Sequence, residues 1–261
     1  MFARFLSALA VLGLASCAAP EADSPPPPPV AVPVAALTAD LPPTLDDIRT
    51  AHRWKDYYAQ EVIAFDAEYR SGGEVRFKHT FYTRPDMSEV RMDLADGRRV
   101  YYANDSIRVV PDTSSDHDRL RFQILTWPYF LLAPFKLADP GSNWEDLGEQ
   151  PYAGTPHASG KLTFDAGVGD APNDYYIAYQ DPDSKRVVAM AYIVTYGDRP
   201  VAQAEARKRM ISYSDYELVN GIPFATTWKF SNYDPAAPPG EVTGEVSVQN
   251  VRTMDATVFE L

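Results

Sequence analysis

Cysteine is nearly absent from this chain, because Cys17 is the single one among 261 residues. An internal disulfide framework and a zinc site made of several thiolates are therefore excluded. The histidines are few and isolated, and they form no H-E-x-x-H or H-x-H pattern: His52, His79, His117 and His157. Since a metal site would have to be assembled from distant segments, we expect no metal and no cofactor.

Basic residues are also scarce. The chain has 24 Lys and Arg against 36 Asp and Glu, which gives a net charge of −12, and no basic cluster interrupts the sequence. Nucleic acids and anionic headgroups both attract Lys/Arg patches. We therefore expect no nucleic-acid partner and no docking on anionic headgroups. The G-x-S-x-G nucleophile pattern is missing as well, so the commonest covalent catalysts are not expected.

Apolar runs long enough to span a bilayer are missing too. A shorter apolar run stands at the start of the sequence. Met1 and Arg4 precede the apolar run Phe5 to Leu14, and small residues lead into Cys17. This layout predicts a signal peptide at residues 1–16, because the run is too short to span a bilayer. Its end, Leu14-Ala15-Ser16-Cys17, resembles the lipobox of bacterial lipoproteins. An ordinary signal peptide with a chance cysteine is the alternative.

The lipobox resemblance implies that the chain is cut before Cys17, whose thiol and new amino group receive acyl chains such as palmitate. Two or three chains anchor a protein firmly, whereas one does so only marginally. The residue after the cysteine is Ala18, not the Asp that retains many such lipoproteins in the inner membrane. We therefore expect an exported protein, attached to the membrane by its lipid anchor, on the periplasmic face of the outer membrane.

Residues 17–43 have the composition of a spacer. Nine prolines occur between Ala18 and Pro43, including Pro25 to Pro29 in an unbroken run, and Lys and Arg are absent there. Such a segment favours extended polyproline II and can hold a domain up to about 80 Å from a surface. A recognition segment for a proline-binding module is the alternative.

Residues 44–261 form the predicted folded domain, and period-two patterns dominate it. Strands are predicted at Glu61–Arg70, Glu74–Arg84, Val90–Leu94, Arg99–Ala103, Ser106–Val110, Lys161–Phe164, Tyr175–Tyr179, Arg186–Tyr196, Met210–Val219, Ile222–Ser231 and Glu241–Arg252. The turn Asn220-Gly221 is the strongest hairpin signal. The pattern predicts a mainly β (α+β) domain with one large, curved antiparallel sheet.

Three helices are predicted beside the sheet. The first begins at Thr44 as N-cap and runs to about Gln60, with one stripe made of Ile48, Ala51, Lys55 and Tyr58. A short Ala-rich helix follows at Val201 to about Arg209. Between them, the apolar segment Leu125–Gly141 predicts a helix of under two turns that starts at Pro128 and stops at Pro134. Such a helix either fills the core or covers a ligand cavity.

This layout resembles the LolA/LppX group of unclosed β-barrels, which carry lipoproteins or lipids through the bacterial envelope. The resemblance covers most of residues 44–261 and is most specific in Val219-Asn220-Gly221-Ile222-Pro223 with Trp228-Lys229-Phe230, and in the ending Val248 to Phe259. The runs Leu125–Gly141, Phe164–Asp170 and Ala191–Tyr196 resemble an uncharacterised family of LolA-like lipoproteins. The resemblance implies an unclosed barrel with helices on its concave face. Soluble LolA carriers shuttle without an anchor, so a tethered binder or receptor fits this chain better.

Two classes of function follow, with a third alternative. The first is a non-enzymatic binder of lipid or lipoprotein acyl chains, with an envelope protein as a further partner. Its predicted lining residues are Phe77, Phe81, Phe122, Leu125, Trp127, Phe130, Leu131, Phe135, Tyr192 and Trp228. The second is an envelope hydrolase, or a glycan- or Ca²⁺-binding protein, that uses the acidic loop Asp165–Asp174. The third is a structural lipoprotein whose own side chains fill the concave face.

Overall fold

The structure is a computed structural model, and it describes residues 41–112, 116–197, 199–235, 237 and 239–260. The predicted signal peptide, the lipidation of Cys17 and nearly all of the spacer lie outside the described residues.

Two short helices open the described part. Helix α1 spans Pro43–Ala51 and α2 spans Trp54–Tyr58. The single helix and its Thr44 cap were wrong predictions, because Pro42 occupies the cap position and Arg53 takes a left-handed conformation (φ +56°) between the two helices. The break rotates the buried face, which is formed by Leu45, Ile48, Arg49, His52, Trp54 and Tyr57, whereas Lys55 is exposed.

A single antiparallel sheet of twelve strands dominates the described residues. The strands are β1 (Val62–Ser71), β2 (Glu74–Thr83), β3 (Glu89–Leu94), β4 (Arg99–Ala103), β5 (Ser106–Val110), β6 (Ser142–Tyr152), β7 (Thr155–Phe164), β8 (Tyr176–Gln180), β9 (Val187–Tyr192), β10 (Arg209–Val219), β11 (Ile222–Asn232) and β12 (Val242–Met254). The predicted mainly β class is confirmed.

The strand order explains why the sheet stays unclosed. It runs β5-β4-β3-β2-β1-β12-β11-β10-β9-β8-β7-β6, so β1 and β12 pair in the middle. The consecutive strands β5 and β6 therefore lie at opposite edges. The chain between them contains helix α3 (His117–Leu132) and a 3-10 turn (Ala133–Phe135). The free edge strand β6 carries a bulge between Asp146 and Gly148, where the register shifts against β7.

The predicted strands agree with the structure except at a few places. Strands β4 and β5 have the predicted bounds, and Asn220 and Gly221 adopt the positive φ angles (+52° and +80°) of a type I′ hairpin turn. Strand β6 and the first half of β7 are additional. Strand β9 ends at Tyr192, before the predicted Tyr196, and helix α4 (Val201–Glu205) is shorter than expected.

Helix α3 is much longer than the predicted two turns, and Pro128 lies inside it instead of starting it. An interior proline costs about 3 kcal/mol because it removes a backbone hydrogen bond. Six residues of α3 are buried: Leu120, Ile124, Pro128, Phe130, Leu131 and Leu132. Burying one large apolar side chain contributes about 1.5–3 kcal/mol, so packing on the sheet outweighs the proline.

The main core lies between the concave face of the sheet and the helices. Phe65 and Phe81 stack at 5.2 Å, and Tyr57 of α2 stacks on Phe135 at 4.1 Å. A second, small cluster contains Tyr179, Ala189, Ala191 and Met210. Since side chains alternate along β10, Met210 lies on the opposite face from its core neighbours Ile211 and Tyr213.

Candidate functional site

A cavity of about 520 Å³ lies between helix α3 and one rim of the concave sheet. The rim is made of strand ends that lie side by side. Its lining residues are Tyr69 (β1), Phe164 (β7), Tyr176 (β8), Tyr192 (β9), Arg209 (β10) and Phe230 (β11). Helix α3 supplies the facing wall with Phe122, Leu125, Thr126, Trp127, Tyr129 and Phe130. The volume falls in the usual range of small-molecule sites, about 300–1,000 Å³.

The ten residues predicted to line a cavity divide into two groups. Five of them line it: Phe122, Leu125, Trp127, Phe130 and Tyr192. The other five lie in the packed core outside this wall: Phe77, Phe81, Leu131, Phe135 and Trp228. These five are held by neighbours in the chain, as Trp228 shows by donating its indole N–H to the carbonyl of Ala225 at 2.9 Å. Ligand contact stays a prediction for the five residues of the wall.

Trp127 is the central residue of the aromatic wall. Its ring lies 4.9 Å from that of Tyr69, 4.8 Å from Phe77 and 6.0 Å from Phe230. Tyr69 lies directly over Gly244 of β12, where a Cβ atom would come within 2.7 Å of the tyrosine ring. A glycine at this point of the strand therefore makes room for one side of the cavity.

Polar atoms without partners occur in the same wall. The indole Nε1 of Trp127 and the hydroxyl of Tyr129 are buried and have no hydrogen-bond partner among the described residues. Burial and the nearby Asp139 raise the pKa of Tyr129, so its phenol stays neutral. Buried polar groups normally have a hydrogen-bond partner. The wall is thus mainly apolar, but it contains two polar groups whose hydrogen-bonding capacity is unused.

Arg121 of α3 bridges two loops that come from opposite halves of the sheet. Its guanidinium contacts Asp105 in the β4–β5 turn and Asp170 in the β7–β8 loop, the latter at 2.6 Å. Asp170 also lines the cavity. We call these three residues the clasp, because they connect the two sides of the unclosed sheet across helix α3.

A second charged cluster, formed by Lys136, Asp139 and Tyr58, lies near the 3-10 turn. Lys136 Nζ lies 2.5 Å from an oxygen of Asp139, and the Tyr58 hydroxyl donates a short hydrogen bond to the other oxygen. Both Lys136 and Asp139 line the cavity. Burial, followed by the charge of Asp139, raises the pKa of Tyr58. The group links α2 to the segment after α3.

The three aspartates of the acidic loop have separate partners. Asp165 accepts a hydrogen bond from Asn143 (2.8 Å), Asp170 pairs with Arg121, and Asp174 accepts two from Thr195 (2.6 and 2.7 Å). Burial raises the pKa of Asp174. Among the described residues no group of three His, Cys, Asp or Glu side chains is placed to hold a metal ion. The geometry thus gives the hydrolase and Ca²⁺ interpretations no added support.

Arg209 is a charged cavity residue that the sequence patterns did not single out. It is the first residue of β10, and alternation places it on the same face as Ile211 and Tyr213, which are both buried in the main core. The signal that could have found it is a charge at an inward position of a strand. Tyr69, Tyr176 and Phe230 were likewise missed, since the sequence does not show which inward aromatic residues stand beside open space.

No described helix has both the length and the apolar character needed to cross a membrane.

Comparison with known proteins places the fold. No protein-family model matches the chain, and no curated protein matches its sequence. A LolA superfamily protein from Nitrosomonas europaea superposes with a TM-score of 0.52 at 9% identity, over 81% of this chain and 94% of that one. A DUF1329 family protein from Desulfovibrio piger has a TM-score of 0.49 at 15% identity, over 84% of this chain and 98% of that one. A Vibrio parahaemolyticus domain assigned to outer membrane lipoprotein sorting has a TM-score of 0.45 at 7% identity, over 83% of this chain and 97% of that one.

At such low identity the Nitrosomonas structure supports a shared fold and nothing further. The unclosed twelve-strand sheet with α3 on its concave side and the superposition together confirm the resemblance stated from the sequence. The chain has the fold of the LolA-like proteins.

Proposed function

We propose that this protein is an exported, lipid-anchored binder of a hydrophobic ligand, and that it does no catalysis. The ligand is a lipid or the acyl chains of a lipoprotein, held in the cavity between α3 and the rim. The observation that carries the proposal is the cavity itself, about 520 Å³ in volume and walled mainly by aromatic and aliphatic side chains.

The driving force would be burial of the acyl chain. Removing apolar surface from water is favourable by about 25 cal/mol per Å², and a preformed wall of Trp127, Phe130, Tyr192 and Phe230 needs little ordering on binding. The rest of the concave face is filled by core residues such as Phe65, Phe81 and Trp228. The proposed ligand therefore occupies only the rim side of the half-barrel.

The proposed lipid anchor determines where in the cell the domain would act. By the lipobox at Cys17 and the proline-rich segment after it, we infer a domain held at a distance from the periplasmic face of the outer membrane. An extended polyproline segment rises about 3.1 Å per residue, so the cavity can reach ligands well away from the lipid surface. A tethered domain would receive ligand from, or pass it to, an envelope partner.

Native mass spectrometry with lipid extraction tests the proposal on the exported chain carrying Cys17→Ser, which lacks the anchoring thiol. We expect a reproducible, stoichiometric lipid mass. Ala171→Trp, which places a bulky ring in the cavity wall, should lower that occupancy at least tenfold. Val201→Trp is the matched control because Val201 is exposed on α4, away from the cavity. An apo mass that also refuses added phospholipid and lipopeptide would contradict the proposal and favour a self-filled core.

A further inference from the structure

The cavity contains one cation whose charge no described acidic residue neutralises. Arg209 donates from Nη1 to the side-chain oxygen of Asn232 (2.6 Å) and from Nη2 to the hydroxyl of Thr243 (2.9 Å). Both partners are neutral. Its Nε–H has no partner in the part of the chain that the structure describes. A guanidinium offers five N–H donors in a fixed plane, so Arg209 is positioned by two and keeps others for a ligand.

The remaining charged side chains of the wall have hydrogen-bond or ion-pair partners inside the protein. Asp139 pairs with Lys136 (2.5 Å), and Asp170 pairs with Arg121 (2.6 Å). Asp86 accepts hydrogen bonds from the backbone and hydroxyl of Ser88 in its own turn.

Asp174 is the fourth carboxyl of the cavity wall. One of its oxygens accepts both hydrogen bonds from Thr195. Burial raises the pKa of the group, and the charge of Arg199 opposes that shift. Of the two described cations in the wall, Lys136 is paired with Asp139, whereas Arg209 forms no ion pair with a described residue.

The neighbours of Arg209 suit the junction between a headgroup and an acyl chain. Tyr192 pairs directly opposite Arg209 across β9 and β10, and Phe230 lies two residues before its other neighbour Asn232. The Tyr192 hydroxyl has no hydrogen-bond partner among the described residues. Burial raises the pKa of Tyr192, and the charge of Arg209 opposes that shift. Directly opposed residues on neighbouring antiparallel strands project from the same face of the sheet, side by side. A second donor thus stands beside the guanidinium.

We propose that Arg209 binds the anionic group of an amphiphile, a carboxylate or a phosphate, while the acyl chain lies along Tyr192, Phe230 and Trp127. This inference rests on the proposed function and narrows it to acidic amphiphiles. Hydrogen bonds between charged partners are roughly twice as strong as neutral ones. Uncharged esters of the same chain length would bind by burial alone.

The test compares four probes on the Cys17→Ser chain: palmitate, hexadecyl phosphate, methyl palmitate and inorganic phosphate. Titrations are followed by tryptophan fluorescence, because Trp127 lies in the wall. The wild type should bind palmitate and hexadecyl phosphate at least about tenfold more tightly than methyl palmitate, as expected for a charge-assisted hydrogen bond. Inorganic phosphate, which has no acyl chain, should not bind at comparable concentrations.

Three variants distinguish the effect of the Arg209 charge from an effect on folding. Arg209→Met should bring the two anionic amphiphiles to the affinity of methyl palmitate and leave methyl palmitate within twofold. Arg209→Lys should keep most of the preference. Lys208→Met removes the same charge from the next residue, which pairs with Glu205 at 2.9 Å and lies outside the cavity wall, and should behave as the wild type.

Each outcome decides between the two proposals. If the wild type binds none of the amphiphiles, the proposed function fails. If it binds all three equally, or if Arg209→Met keeps the preference for anions, the headgroup role of Arg209 is wrong while the binding function stands. If inorganic phosphate binds as tightly as palmitate, the site is one for free anions and the acidic-amphiphile inference is overturned.

Discussion

Replacing Gly244 with alanine tests how the cavity wall is built. A Cβ atom at this position of β12 would lie 2.7 Å from Cε2 and 2.8 Å from the hydroxyl oxygen of Tyr69. Both distances are shorter than any normal contact, so the tyrosine ring has to move. Moving it disturbs the ring contacts with Trp127 at 4.9 Å, Phe77 at 5.7 Å and Phe230 at 6.0 Å.

The expected magnitude combines two opposing effects. Overpacking a well-filled site costs about 1–3 kcal/mol, and each aromatic pair contributes about 0.5–1.5 kcal/mol beyond its burial. Alanine in a strand is favoured over glycine by about 0.5–1 kcal/mol, because glycine loses more conformational freedom on folding. We therefore expect Gly244→Ala to lower the free energy of unfolding by about 1–3 kcal/mol.

The sign should reverse once the ring is gone. In a Tyr69→Ala background the methyl group added by Gly244→Ala has space, so the substitution should raise the free energy of unfolding by about 0.5–1 kcal/mol. The coupling between the two sites, measured as a double-mutant cycle, should then reach about 1.5–4 kcal/mol. Urea unfolding followed by far-UV circular dichroism measures it. Equal costs of Gly244→Ala in both backgrounds would refute the reasoning.

Two further predictions concern the clasp and a buried histidine. Arg121→Met removes the contacts to Asp105 and Asp170. The pair with exposed Asp105 contributes little, but Asp170 is only 23% exposed and loses two hydrogen bonds, so stability should fall by about 1–3 kcal/mol. Stopped-flow release of bound palmitate should become several-fold faster, and an unchanged rate would show that the clasp does not gate the cavity. Burial, with a smaller effect of Arg186, lowers the pKa of His52 from 6.5 to about 3. As the pH falls, His52 therefore binds a proton in the unfolded chain before it does so in the folded protein. The contribution of neutral His52 to the free energy of unfolding is complete above pH 6.5 and is lost as the pH falls towards 3. Between pH 7 and pH 5 the wild type should lose on the order of 2 kcal/mol more unfolding free energy than His52→Gln, measured by urea titration, and parallel losses in both proteins would contradict this.

The sequence predicted the sheet well because most strands carry their own signals. Period-two patterns and turns such as Asn220-Gly221 are encoded by neighbouring residues. They therefore predict strands and hairpins without knowledge of distant contacts. Strand β6 has no such signal, since S-N-W-E-D-L-G-E-Q-P-Y contains no β-branched residue and includes Gly148 and Pro151. It becomes a strand because β7 offers its whole length for pairing.

The candidate site was only partly predictable for a related reason. Aromatic residues at inward positions are visible in the sequence, but whether Phe81 meets Phe65 or open space depends on contacts between distant segments. The proline rule misplaced the start of α3 because burial of the helix outweighs the cost of Pro128. Arg209 was overlooked since its importance lies in the partners it lacks, which only the fold reveals.

The free edge at β6 has a consequence wherever copies of the chain meet at high concentration. An unpaired strand offers its N–H and C=O groups to any neighbouring chain. Along this edge Glu145, Asp146 and Glu149 are exposed carboxylates, and the bulge at Gly148 interrupts the straight register that a second strand would need. Two identical edges would therefore repel each other before they could pair. The sheet can therefore stay unclosed without polymerising into a continuous ribbon.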